Sequence, residues 1–153
     1  DKAAEAAGPN DIICLTNDDT VFVQGITDII LKNSPCWAGR WEHNHVHLPM
    51  TPEKMRVSAY KHCGADVFAF TKQWWMENKA SYPLFILARE AWDLALRTLI
   101  NLRGGREVEA CCCHIIHNPE WHSAKYRECK GNLFNRDAAR GFFAANNMPW
   151  PKV

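Results

Sequence analysis

A chain of 153 residues with 47% hydrophobic and 23% charged side chains has the size and balance of one folded domain, which excludes intrinsic disorder. Its net charge of +1 removes the broad basic field that binding to nucleic-acid phosphates requires. The most apolar stretch, YPLFILAREAWDLALRTLINL, is interrupted by Arg89, Glu90, Asp93 and Arg97, so no membrane span is expected.

Residues 1–10, DKAAEAAGPN, form a polar, flexible lead of the kind left after a signal peptide is removed. That start suits a secreted chain, but a chain trimmed in any other way would look the same, so the compartment stays open, a reducing one included. Residues 11–153 then read as a single compact domain. Ile12 to Leu15 and Thr20 to Val23 flank Asn17, Asp18 and Asp19, whose side chains tolerate tight turns, and together they predict a hairpin. ITDIILKN reads as a further strand or a short helix closed by Pro35. RWEHNHVHL alternates, and as a strand it sets His43, His45 and His47 on one face.

From Thr51 the pattern turns helical. Thr51 is a good N-cap, Pro52 suits a first turn, and Glu53 complements the helix dipole. Met55, Ala59, Cys63, Val67, Phe70 and Trp74 recur at spacings of three and four, which predicts one long helix that Gly64 bends without ending. A second helix follows NKASYP, with Leu84, Ala88, Ala91, Ala95, Leu99 and Leu102 as its buried spine and Gly104 and Gly105 as its end. Three shorter helices complete the chain: 106–117; 119–130, with Asn118 as cap and Gly131 as stop; and 136–145, after Asn135. The tail NNMPWPKV is non-helical because of Pro149 and Pro151, and it is expected to pack back through Trp150. The predicted fold class is α+β: a small N-terminal antiparallel β-sheet, a hairpin plus one or two strands, packed on a helical majority of about five helices.

The segment EACCCHIIHNPEWHSAKYREC, 109–129, concentrates cysteine and histidine. Seven cysteines, an odd number with three in succession, make an awkward disulfide framework, and metal thiolates or reduced thiols fit better. On a helix over 106–117, Val108, Cys112, Ile115 and Ile116 share one face, while Cys113, His114 and His117 share the other with Cys111 at its edge. His122 then arrives from the next helix. Cys113, His114, His117 and His122 are therefore the candidate ligands of a zinc ion, at the usual distances of about 2.0 to 2.3 Å. Cys129 falls opposite Cys111 or Cys112, where a thiol contact or a disulfide is expected.

Two further candidates are catalytic. His43, His45 and His47 on one strand, with Glu42 behind them, would suit a metal with an open coordination position, His45 at its centre. In SPCWAG, Trp37 follows Cys36, which resembles the nucleophile segment of papain-like proteases over two or three residues, with His114 or His122 as the base. Cys63, by contrast, sits on an apolar stripe where burial would make it inert. Lys125, Arg127, Lys130, Arg136 and Arg140 alternate with Glu120, Glu128 and Asp137, the pattern of a solvated helix face.

The expected function is protein–protein binding by a small cysteine- and histidine-rich protein, stabilised by zinc or a disulfide, with the composition of a secreted effector. The alternative is a metal-dependent or cysteine-dependent hydrolase. Neither the partner nor the oligomeric state is encoded in any motif.

Overall fold

The computed structural model describes residues 2–17, 19–43, 49–58, 60–86, 89–109, 111–115 and 123–151, with the backbone alone at 57, 58, 60–63 and 115. A short helix α1 (Lys2–Ala6) precedes strands β1 (Ile12–Thr16) and β2 (Thr20–Phe22), helix α2 (Ile26–Asn33) and strand β3 (Cys36–His43). Helix α3 (Pro52–Ser58), strand β4 (Tyr60–Thr71), helix α4 (Lys72–Asn78) and a 3₁₀ turn (Lys79–Ser81) follow. The chain ends with helix α5 (Trp92–Leu102), strands β5 (Arg106–Val108) and β6 (Cys112–Ile115), and helices α6 (Ala124–Arg127) and α7 (Lys130–Ala145).

The α+β class stands, but the expected small antiparallel hairpin sheet is replaced by a six-stranded mixed sheet. Its order is β1-β4-β3-β6-β2, with β5 also paired to β3. Strand β3 lies at the centre, antiparallel to β4 along one side and parallel to β5 and then β6 along the other. Strands β1 and β2 do not pair as a hairpin. Each pairs elsewhere, β1 with β4 and β2 with β6, and the two form opposite edges of the sheet.

That order forces the sheet to curl. In a flat sheet, four strand spacings would hold β1 and β2 about 19 Å apart. Their connector, Asn17 to Asp19, lets the chain span at most about 14 Å from Thr16 to Thr20. The edges must therefore bend towards each other into a half-barrel. One cluster collects Ile12 from β1, Val21 and Phe22 from β2, and Cys36, Ala38, Val67, Ala69 and Cys113 from the strands between. Side chains from both edges can meet only on the concave face, which Ile30 of α2 and Met55 of α3 close. The outer face carries Trp37, Phe68 and Phe70 against Trp74 of α4, Leu96, Leu99 and Ile100 of α5, and Phe142 and Phe143 of α7.

Two predicted helices become strands for one reason. Val67 and Ala69 enter the concave core while Phe68 and Phe70 enter the outer one, so a strand covered on both faces reads as an unbroken apolar run. The stripe predicted through Val67, Phe70 and Trp74 is a coincidence of spacing: β4 supplies the first two and α4 the third. Likewise Cys111, Cys112 and Cys113 are all buried, and 112–115 is strand, where 106–117 was expected to be helix. The second predicted helix begins at Trp92 and not at Leu84, and α7 runs unbroken through Gly131 and Asn135, which were expected to be a stop and a cap.

Local end signals fare better. Thr51 caps α3, accepting from the Lys54 amide at 3.3 Å. Gly104 takes a positive φ of 82° after α5, and the Gly105 amide donates to the Ile100 carbonyl at 2.8 Å, the six-to-one bond of a Schellman ending. Trp150 packs edge-on against Phe143, so the tail folds back. Among the described residues, no helix is long and apolar enough to cross a membrane.

Candidate functional site

The sheet carries a polar cluster on its outer face, beyond the end of α5. It begins with a β-bulge: Ala38 pairs with Val67 and Gly39 with Ala65, leaving Asp66 as the extra residue of β4. Bulges re-aim a side chain. Asp66 is only 3% exposed. Its Oδ1 accepts from Asn17 Nδ2 at 2.9 Å and lies 3.8 Å from Arg40 Nη1. Its buried Oδ2 has no hydrogen-bond partner among the described residues. Arg40 Nε stands 3.2 Å from Glu42 Oε1, and Glu42 sits directly opposite His114 in the β3–β6 register. His114 Nε2 in turn meets Asp19 Oδ2 at 3.0 Å.

Burial pushes the Asp66 carboxyl above its ordinary range, opposed by the positive field of Arg40 and His114 and reinforced by Asp19 and Asp93. Asn17 and Asp19 both belong to the connector between the two sheet edges. One grips β4 and the other grips β6, so the cluster works as a latch across the seam of the half-barrel.

The predicted zinc ligands are not brought together by a helix. Cys113 and His114 are neighbours on β6, and successive strand residues point to opposite faces. Cys113 pairs with Val21 and Trp41 and belongs to the concave core, while His114 turns to Asp19. His117 and His122 lie outside the described residues. Among the described residues, no group of three or more His, Cys, Asp or Glu side chains stands so as to hold a metal ion. Cys14, Cys36, Cys111, Cys112, Cys113 and Cys129 are all free thiols, and Cys129 occupies the N-cap position of α7. The disulfide expected at Cys129 is therefore not formed. Cys112 donates weakly to the Gly39 carbonyl, 3.7 Å away.

Cys36 is buried in the concave core. Burial, then the fields of Cys111 and Cys14, push its thiol up to about 11, with Arg106 opposing. A thiol so placed stays protonated at neutral pH, whereas a nucleophile needs the thiolate. His43 is buried at the end of β3, and His45 and His47 lie outside the described residues.

A second feature lies at the other end of the outer layer. Asn132 and Asn135, both fully buried on α7, bind the backbone groups of Ile86 and Glu90. Asn135 Oδ1 accepts from the Ile86 amide at 2.8 Å, while its Nδ2 donates to the Ile86 and Glu90 carbonyls at 2.9 and 3.0 Å. Asn132 Oδ1 accepts from the Glu90 amide at 3.0 Å, and Arg136 holds the Glu90 carboxylate at 2.6 Å. The sequence signal was present: Asn132, Asn135, Ala139 and Phe142 follow spacings of three, four and three, which places both amides on the apolar face of the helix.

This clamp ties Ile86 and Glu90 to α7. Beside α7 runs a groove of about 510 Å³, lined by Tyr82, Pro83, Ala138, Gly141, Phe142 and Ala145. Leu84, 86% exposed, follows Pro83 in the chain, and Phe134, 51% exposed, precedes Ala138 by one helical turn; Ile86 and Leu133 are also exposed. No family model matches the chain, and no curated protein and no solved structure is significantly similar to it.

Proposed function

We propose that this protein acts by binding a protein partner, which inserts apolar side chains into the groove between α7 and residues 80–86. The observation that carries the reading is the presentation of Leu84 and Phe134. Both are large, apolar and exposed, and each is near the groove along the chain, Leu84 directly after Pro83 and Phe134 about one helical turn before Ala138. Covering a leucine or phenylalanine side chain fully is worth about 1.5–3 kcal/mol, so two anchors and a groove amount to a binding hot spot. The Asn132 and Asn135 clamp orders the segment in advance, which lowers the entropy cost of association.

The test is selection of peptides from a displayed library against the immobilised protein, with the binding site mapped by hydrogen exchange. Selected peptides are expected to be apolar, to protect the amides of α7 and of the 82–86 segment, and to lose binding to Leu84→Asp and Phe134→Asp variants of unchanged melting temperature. Peptides that protect another surface, or that bind both variants equally well, would overturn the proposal.

A further inference from the structure

We infer that Asn17, Asp19 and β2 form a proton-operated strap over the seam of the half-barrel, held down in weak acid by Asp66 and His114 and released as the pH rises. The inference goes beyond the binding groove and does not depend on it. Strand β2 has three residues and one neighbour in the sheet, β6. Ahead of it the chain is tied down through side chains, Asn17 to Asp66 at 2.9 Å and Asp19 to His114 at 3.0 Å. The movable piece is bounded on both sides. Strand β1 stays paired with β4 up to Thr16, and beyond β2 the Val23 and Gln24 amides donate to the Cys111 and Met50 carbonyls at 3.0 and 2.9 Å. A short edge strand between two fixed points can open while the remainder stays folded.

Both anchors respond to protons in the same sense. Asp66 faces Arg40 of β3 and, at longer range, His114 of β6, Asp19 of the strap and Asp93 in the first turn of α5; Arg40 also faces Glu42. With Asp66 and His114 protonated, Arg40 and the imidazolium balance Asp19 and Glu42, so these five groups carry no net charge. When both protons have left, the same five carry two net negative charges, and Asp93 adds its own in either state.

Ionised Asp66 repels Asp19, and neutral His114 no longer pairs with Asp19 as an ion. Ionisation also puts charge on Asp66 Oδ2, which is buried and has no hydrogen-bond partner among the described residues. A protonated carboxyl tolerates that surrounding, whereas a carboxylate needs a donor or water, and lifting the strap admits water. Arg40, 3.8 Å away, and the Asn17 amide both favour the carboxylate in place. Burial outweighs them, since the carboxyl is held above its ordinary range.

Nuclear magnetic resonance of the isotope-labelled chain from about pH 4 to about pH 8 tests the inference, because carboxyls raised by burial and imidazoles shed their protons in that span. The Asn17 side-chain amide and the backbone amides of Thr20, Val21 and Phe22 are expected to be sharp at the acid end. They should broaden and lose intensity as the Asp66 carboxyl carbon titrates, while Phe68 and Ala69 on β4 stay sharp. At matched pH, which cancels the ordinary exchange of amides with water, Asp66→Asn should keep the β2 signals sharp. Asp19→Asn, at a side chain 37% exposed, should do the same by removing the repelled charge. Signals from β2 that are equally sharp across the range, or broadening unchanged in both variants, overturn the inference. So does simultaneous loss at Phe68 and Ala69, which would be unfolding of the whole domain. Should Asp66→Asn fail to fold, Asp19→Asn decides alone, and broadening as in the wild type counts against the strap.

Discussion

Asn17 donates to Asp66 across 2.9 Å, joining the connector between the two sheet edges to the bulge of a strand forty-nine residues further on. The bond fixes the closed end of the half-barrel, and it does so with a carboxyl group that burial holds above its ordinary value of 3.8. An acid whose folded value is raised binds its proton more tightly in the native state. Its contribution is therefore fully favourable below 3.8 and is lost as pH rises through the folded value.

Asp66→Asn keeps an oxygen for Asn17 and removes the buried charge. It is expected to be at least as stable as the wild type at neutral pH, with a shallower dependence on pH between the two values, in urea unfolding measured as a function of pH. Asp66→Ala leaves Asn17 Nδ2 without its acceptor and should lose about 1–3 kcal/mol. If Asn proves as damaging as Ala at neutral pH, Asp66 is needed as a charge and the latch has been misread.

The thiols give an independent check on the concave core. Cys14 is exposed and Cys129 partly so, whereas Cys36, Cys111, Cys112 and Cys113 are buried. A disulfide-exchange reagent at neutral pH should modify Cys14 and Cys129 in the native protein and reach Cys36, Cys111, Cys112 and Cys113 only after unfolding. At alkaline pH, Cys36 adds a stability change of known sign. Its folded value of about 11 lies above the ordinary 9.0, so its contribution is present below 9.0 and is lost as pH rises towards 11. Cys36→Ala should flatten that part of the profile. Rapid modification of Cys36 in the native state would show that this strand is open.

Asn135 is predicted to matter more than any surface charge on its helix. Replacing it with alanine strips partners from the Ile86 amide and from the Ile86 and Glu90 carbonyls together. A loss of about 2–4 kcal/mol is expected, given the cost of each buried polar group left unsatisfied. Hydrogen exchange at Ile86 should accelerate out of proportion to the global change, and any ligand of the groove should bind more weakly, because the segment carrying Leu84 is released. Unchanged exchange at Ile86 would mean that the segment is held by its side chains, not by the amide clamp.

What could be read from the chain beforehand divides by distance along it. Thr51 at the start of α3 and Gly104 and Gly105 at the end of α5 act within one helical turn, and each does what its residue type implies. The pairing of β1 with β4 and of β2 with β6 spans some fifty to ninety residues. Asn17 to Asp19 carry every local mark of a hairpin turn, yet the connector joins strands that belong to opposite edges. Double burial hid β4 and β6 as strands for the reason given for the run from Val67 to Phe70: a segment apolar on both faces has no alternation to detect. The Asn clamp is hidden because an asparagine before a helix-like run is ordinarily a cap, although the spacing of Asn135 from Ala139 and Phe142 places it inside the helix.

Two glycines separate backbone necessity from helix propensity. A Cβ on Gly105 would lie 2.6 Å from the Pro35 carbonyl oxygen and closer still to Cγ2 of Ile100, a side chain in the outer core. The Pro35 oxygen also accepts from the Arg106 amide, and Gly105 is bonded to Ile100, so neither neighbour can retreat without breaking the turn that feeds β5 onto β3. Gly105→Ala should therefore cost about 2 kcal/mol or more, in the range of overpacked core positions. At Gly141, on the exposed face of α7, an added Cβ meets nothing. Gly141→Ala should stabilise the protein by about 0.5–1 kcal/mol through helix propensity. Denaturant unfolding of the two variants at matched, dilute concentration checks both signs. Equal effects at the two positions would mean that the packing of α5 against the start of β5 is looser than the Ile100 contact requires.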